Sequence, residues 1–94
     1  LTLGEESFDL DVQTCSLGPG GGAVGIVAVT SDGGYEFSAG GTAGAVTITL
    51  RGVGNPGVWT ATGATATIGS GTFGYSGTVA GPAGEEQMSV SVNC

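Results

Sequence analysis

The chain is 94 residues long, carries a net charge of −7 and has Arg51 as its only basic side chain, with no His and no Lys. That length bounds it to a single domain, residues 1–94, with a core small enough for a covalent staple to matter. The charge excludes the counterion-releasing contacts that nucleic acid needs and disfavours anionic membrane surfaces, and without His or Lys a Ser nucleophile has no base.

Helical periodicity is missing, because 21 glycines and many Thr, Val and Ser residues interrupt every window in which it could develop. Alternation with period two replaces it. Phe8, Leu10 and Val12 alternate with Ser7, Asp9, Asp11 and Gln13, which predicts a half-buried strand with an acidic outer face. Residues 23–30 are almost continuously apolar and read as a central strand buried on both sides. Ser31-Asp32-Gly33-Gly34 predicts a tight turn, and Tyr35, Phe37 and Ala39 continue on the return strand.

Val46, Ile48 and Leu50 alternate with Thr47 and Thr49 in another strand. A loop at residues 52–57 precedes a short strand at residues 58–61, which Thr62-Gly63 ends. Residues 64–68 and 72–80 flank Gly69-Ser70-Gly71 as a hairpin, with Phe73, Tyr75 and Val79 facing one way. After the turn Gly81-Pro82-Ala83-Gly84, the last strand places Met88, Val90, Val92 and Cys94 on one face. Short strands with turns every eight to twelve residues predict an all-β domain, an antiparallel β-sandwich of about seven or eight strands.

Cys15 and Cys94 are the only two cysteines. An even pair flanking a small domain points to one disulfide and an oxidising compartment; two unpaired thiols are the alternative reading, and a zinc site lacks a His or a third Cys. Closing so long a loop stabilises by roughly 4.5 kcal/mol in the chain-entropy model, as an upper figure. Each cysteine ends its strand, so the two strands must run in the same direction where they meet. Cys15 is also out of phase with Phe8, Leu10 and Val12, which predicts a bulge or a strand end between Val12 and Cys15. The residues Val12-Gln13-Thr14 before Cys15 are not the small ones a lipid-modified cysteine takes.

Other motifs carry less. Gly20-Gly21-Gly22-Ala23-Val24-Gly25 matches a dinucleotide-binding pattern by letter, but a β-run follows where a helix is needed. No cofactor and no catalytic residue is assigned. Asp9 and Asp11, with Glu85 and Glu86 beside a turn, read as solvated strand edges, with a weak calcium site as the alternative. Tyr35, Phe37, Phe73 and Tyr75 read as core, and Trp59, next to the loop Asn55-Pro56-Gly57, as the aromatic available to stack on a ligand. The longest apolar run falls far short of the roughly 20 residues of a membrane-spanning helix. With neither a signal peptide nor an initiator Met, Leu1 is expected to begin a processed or truncated form.

Several motifs, in order, resemble the C-terminal domain of the mycobacterial lipoprotein antigen family (LpqH-like). They are the first strand ending in Cys15, the Gly-rich stretch leading to Ala23-Val24-Gly25-Ile26-Val27-Ala28-Val29, and Thr30-Ser31-Asp32-Gly33. Ala64-Thr65-Ala66-Thr67, Tyr75-Ser76-Gly77-Thr78-Val79-Ala80-Gly81 and the terminal Val90-Ser91-Val92-Asn93-Cys94 follow. The resemblance implies a β domain with one disulfide, exported to an actinobacterial envelope and without enzymatic activity. The family's lipid-bearing Cys and Ser/Thr-rich tether are not among these residues, so a lipid anchor would lie upstream of Leu1, and host or envelope partners are not carried over. Three readings therefore stand: an exported, non-enzymatic envelope domain; a secreted structural subunit that self-assembles through the edge strands at residues 1–3 or 58–61; and a small-ligand or glycan-binding module around Trp59.

Overall fold

The computed structural model describes residues 1–18, 22–54, 57–69 and 71–94. Gly20 and Gly21 of the glycine-rich motif, Asn55 and Pro56 of the loop before Trp59, and Ser70 of the hairpin turn lie outside them. Among the described residues the chain forms ten strands: β1 (Thr2–Leu3), β2 (Glu6–Ser7), β3 (Leu10–Leu17), β4 (Val24–Thr30), β5 (Tyr35–Thr42), β6 (Ala45–Gly52), β7 (Val58–Ala64), β8 (Thr67–Gly69), β9 (Thr72–Gly81) and β10 (Gly84–Asn93).

They join one sheet in the order β2-β1-β10-β9-β7-β6-β5-β4-β3, with β8 pairing on β9. The fold is all-β and antiparallel as expected, but the strands do not divide into the two sheets of a sandwich; the one sheet is curled into a half-barrel. The reason lies between β7 and β9. They touch through a single register pair, Thr60↔Ala80, so the ladder continues where a sandwich would separate. Turn spacing, on which the sandwich expectation rested, does not report whether strands on either side of a loop stay in one ladder.

Alternation decides which side is the core. Ile26, Ala28, Phe37, Ile48, Leu50, Phe73, Val79 and Met88 are buried to within a few per cent, and all lie on the concave face. Their neighbours along each strand are Thr, Ser, Gly and acids on the convex face, as in Ser38 opposite Thr49 and Thr49 opposite Thr60. The run at residues 23–30 follows this rule and is not buried on both sides. Val24, Ile26, Ala28 and Thr30 point inward, whereas Val27 is 38% exposed opposite Ser38. Valines on its outer face made the segment look continuous.

The 58–61 segment is longer than expected and is not an edge. Strand β7 lies between β6 and β9, and the chain passes Thr62-Gly63 through a register shift that brings Ala64 opposite Val46. Strand β1 is covered as well, by β2 on one side and β10 on the other. The ends of the sheet are β2 and β3.

The cysteines pair as expected, but Cys15 does not end its strand, since β3 continues to Leu17 opposite Val24. Cys15 on β3 and Cys94 just beyond β10 are disulfide-bonded, with Cα atoms 5.6 Å apart. Antiparallel steps along β10-β9-β7-β6-β5-β4-β3 leave β10 and β3 running in the same direction. The register of β3 on β4 shifts between Val12 and Thr14, so Gln13 is the extra residue of a bulge. That bulge moves the inward phase from Leu10 and Val12 to Cys15 and Leu17, opposite Ile26 and Val24.

Replacing both Cys15 and Cys94 by Ser should lower the unfolding free energy by about 2–4 kcal/mol. Urea denaturation of the two proteins measures this, and an unchanged midpoint would mean that hydrogen bonds alone hold the sheet curled.

Candidate functional site

The seam between the ends of the sheet is crossed at one end by the disulfide and toward the other by the chain itself, which runs from β2 through Phe8 and Asp9 into β3. There the bond from Gly4 N–H to the Gln87 carbonyl extends β1 on β10, that from Phe8 N–H to the Leu1 carbonyl extends β1 on β2, and that from Ser31 N–H to the Asp9 carbonyl extends β3 on β4. Beside the N-terminal hairpin of β1 and β2 is a cavity of about 430 Å³, lined by Leu3, Gly4, Glu5, Glu6, Tyr35, Trp59 and Glu86. It combines an aromatic wall with carboxylates, the mix of apolar surface and a few converging polar groups that marks small-molecule sites.

The aromatic wall is a row. Phe8 packs edge-on against Tyr35 with ring centroids 5.2 Å apart, and Tyr35 against Trp59 at 5.6 Å. Phe37, Phe73 and Tyr75 are buried core residues as expected. Tyr35 is not; like Trp59 it is half-buried at the cavity. Sequence alternation put Tyr35 on the inward face correctly, but its place at the first residue of β5 leaves it at the open end of the curl.

Two devices hold this row. The first is the β4–β5 turn. Thr30, nearly fully buried, donates its hydroxyl to Asp32 Oδ1 at 2.6 Å and accepts the Tyr35 N–H at 3.1 Å, while Gly34 N–H also donates to Asp32 Oδ1 at 2.8 Å. Gly33 closes the turn at φ 75°, a conformation that favours glycine, with its N–H donated to the Thr30 carbonyl. The Thr30 hydroxyl and then the Gly34 N–H hold the Asp32 carboxyl below its ordinary value. The second device is Gly81. Trp59 follows the inward phase opposite Leu50, and its indole lies so close over Gly81 that a Cβ there would run into Cδ1 and Nε1.

Charge is distributed unevenly. Arg51, the only basic side chain, pairs with Glu36 on the convex face at 3.0 Å; they are direct cross-strand partners on β6 and β5. Among the described residues, Glu5, Glu6 and Glu86 at the cavity form no ion pair. Glu86 is the one member of the Asp9, Asp11, Glu85, Glu86 set that lines the cavity, and Glu5 and Glu6 join it from the hairpin. Among the described residues no group of three or more acidic or Cys side chains is arranged to hold a metal ion, so the calcium alternative gains no geometric support. The glycine-rich motif leads from Gly22 into β4 and not into a helix, so no helix N-terminus follows it to receive a phosphate.

A second, shallower depression of about 460 Å³ lies on the convex face, floored by the cross-strand pair Gly25 and Gly40 and rimmed by Thr14, Ser16, Ser38, Thr47 and Thr49. Its lining contains no charged side chain and no aromatic ring. Comparison with protein-family models, with curated proteins and with solved structures gave no match.

Two outcomes test this account. Asp32 is bonded as a carboxylate, so its folded pKa lies below its unfolded one. Its contribution to stability is therefore full above the unfolded value, about 3.9, and is lost as pH falls through the lowered folded value. Asp32→Asn should accordingly flatten part of the acid limb of stability below about pH 4, as followed by urea midpoints across that range. Gly81→Ala should displace the indole, lowering stability by about 1–3 kcal/mol and shifting the fluorescence of the single Trp; unchanged emission would show that the indole does not rest on this backbone.

Proposed function

We propose that the chain is a non-enzymatic, exported domain of a cell envelope or surface, comparable to the C-terminal domain of the lipoprotein antigens it resembles. The observation that carries this reading is the Cys15–Cys94 disulfide across the seam of the half-barrel. Such a bond persists in oxidising compartments and is rare where glutathione and thioredoxin keep thiols reduced. A convex face of Thr, Ser and Gly supports the same reading, since charge is sparse there and the Arg51–Glu36 ion pair is exposed, where such pairs contribute little. An upstream lipid anchor belongs to the same proposal.

Trapping thiols by alkylation in intact source cells, together with labelling by a membrane-impermeant reagent, tests it. The expected protein is fully oxidised and accessible from outside. A reduced, cytosolic protein would overturn the reading.

The cavity at Tyr35 and Trp59 favours a second reading, a small-ligand or glycan-binding module. The self-assembling subunit rests on β3, an eight-residue strand at the end of the sheet whose outer edge could pair with a neighbour. The Gln13 bulge and Asp11 on that strand act against such pairing. Light scattering of the native protein separates a polymer from a monomer.

A further inference from the structure

We propose that the cavity at the open end of the half-barrel binds a small organic cation, a methylated or quaternary ammonium compound, between the aromatic pair Tyr35–Trp59 and the carboxylates Glu5, Glu6 and Glu86. This rests on the reading of the domain as a ligand-binding module around Trp59 and deepens it by naming the ligand class. Three independent observations converge. The cavity, about 430 Å³, has the volume of a small-molecule site. Part of its wall is the Tyr35–Trp59 pair, packed edge to face, and a Trp or Tyr face left open by such packing carries the negative quadrupole that attracts cations.

Charge completes the argument. Glu5 and Glu6 come from the hairpin and Glu86 from β10, while the rings come from β5 and β7, so acids and rings line the cavity from different strands. The chain's own basic side chain cannot neutralise them, because Arg51 is engaged by Glu36 on the convex face. An anion is repelled here, and a neutral sugar would use the rings while leaving the carboxylates uncompensated. A soft cation uses both, since its methyl groups cover the rings while its charge offsets the acids.

Choline is the probe, with 3,3-dimethylbutan-1-ol as its neutral isostere and a chitin oligosaccharide as the neutral glycan. Trp59 is the only tryptophan, so its fluorescence and its indole N–H resonance report on the cavity directly. Choline should perturb both. The isostere should bind at least about fivefold more weakly, and replacing Glu6 and Glu86 together by Gln should weaken choline binding by a similar factor. Choline binding should also fall as ionic strength rises. Both replaced residues are exposed, and the unchanged emission of the free variant would confirm that its fold is intact.

Equal binding of choline and its isostere, or binding of the oligosaccharide in preference to both, would overturn the cation assignment and leave the ligand module standing. No response of Trp59 to any of the probes would overturn the module together with its ligand.

Discussion

One distance constrains this fold. Strands β10 and β3 are six spacings apart along the sheet, which in a flat sheet would separate them by roughly 29 Å, yet Cys15 and Cys94 place their Cα atoms 5.6 Å apart. A sheet tied at that distance must curl. Curling encloses one face and leaves the other to solvent, which is why β4, β6 and β10 alternate between buried apolar residues and more exposed ones. The Gln13 bulge belongs to the same constraint. Were Gln13 paired in regular alternation, Cys15 would fall out of phase with Leu10 and Val12 and point to the convex side, away from the seam.

Curling also creates the cavity. Where the sheet rolls up, its interior is filled by Phe37, Leu50, Phe73 and Met88, but at the mouth the strands begin or end and side chains no longer have neighbours on all sides. Tyr35 opens β5 and Trp59 lies second in β7, so both rings sit at this mouth. Their position is set by small things: the Thr30 hydroxyl that accepts the Tyr35 N–H, and the bare backbone of Gly81 beneath the indole. Removal of either would leave a polar group unpaired or a ring displaced, at a cost of about 1–3 kcal/mol.

Much of the fold was legible because period two is written plainly. Val46, Ile48 and Leu50, or Met88, Val90 and Val92, can face only one core. The parity of Cys15 against Leu10 and Val12 foretells the bulge, and the place of each cysteine toward the C-terminal side of its strand foretells that β3 and β10 run in the same direction. What the residues did not carry was long-range pairing. Residues 58–61 look like an edge because Gly63 interrupts them, yet Gly63 sits inside a register shift that keeps β7 paired with β6. Of the five aromatic and acidic residues at the site, Trp59 and Glu86 are legible as the aromatic beside its loop and an acid beside a turn. Tyr35 reads as core, because alternation shows its inward face but not its place at the open end of the curl, and Glu5 and Glu6 are missed because only the strand order shows that the N-terminal hairpin folds back beside β10.

The two ends of the seam are held unequally. The disulfide end cannot open without bond cleavage. At the cavity end the hairpin is held to β10 by the short β1 ladder, which the bond from Gly4 N–H to the Gln87 carbonyl extends, each such bond with a net contribution of about 1 kcal/mol. Strands β1 and β2 are two residues long and add only two register pairs each, so of the two ends of the seam this one is the less firmly held. Like charges at Glu5, Glu6 and Glu86 line the cavity at that end, and their mutual repulsion opposes the pairing of the hairpin with β10. The covalent end thus fixes the curl of the sheet, while at the acidic end a few backbone hydrogen bonds must outweigh the repulsion between carboxylates.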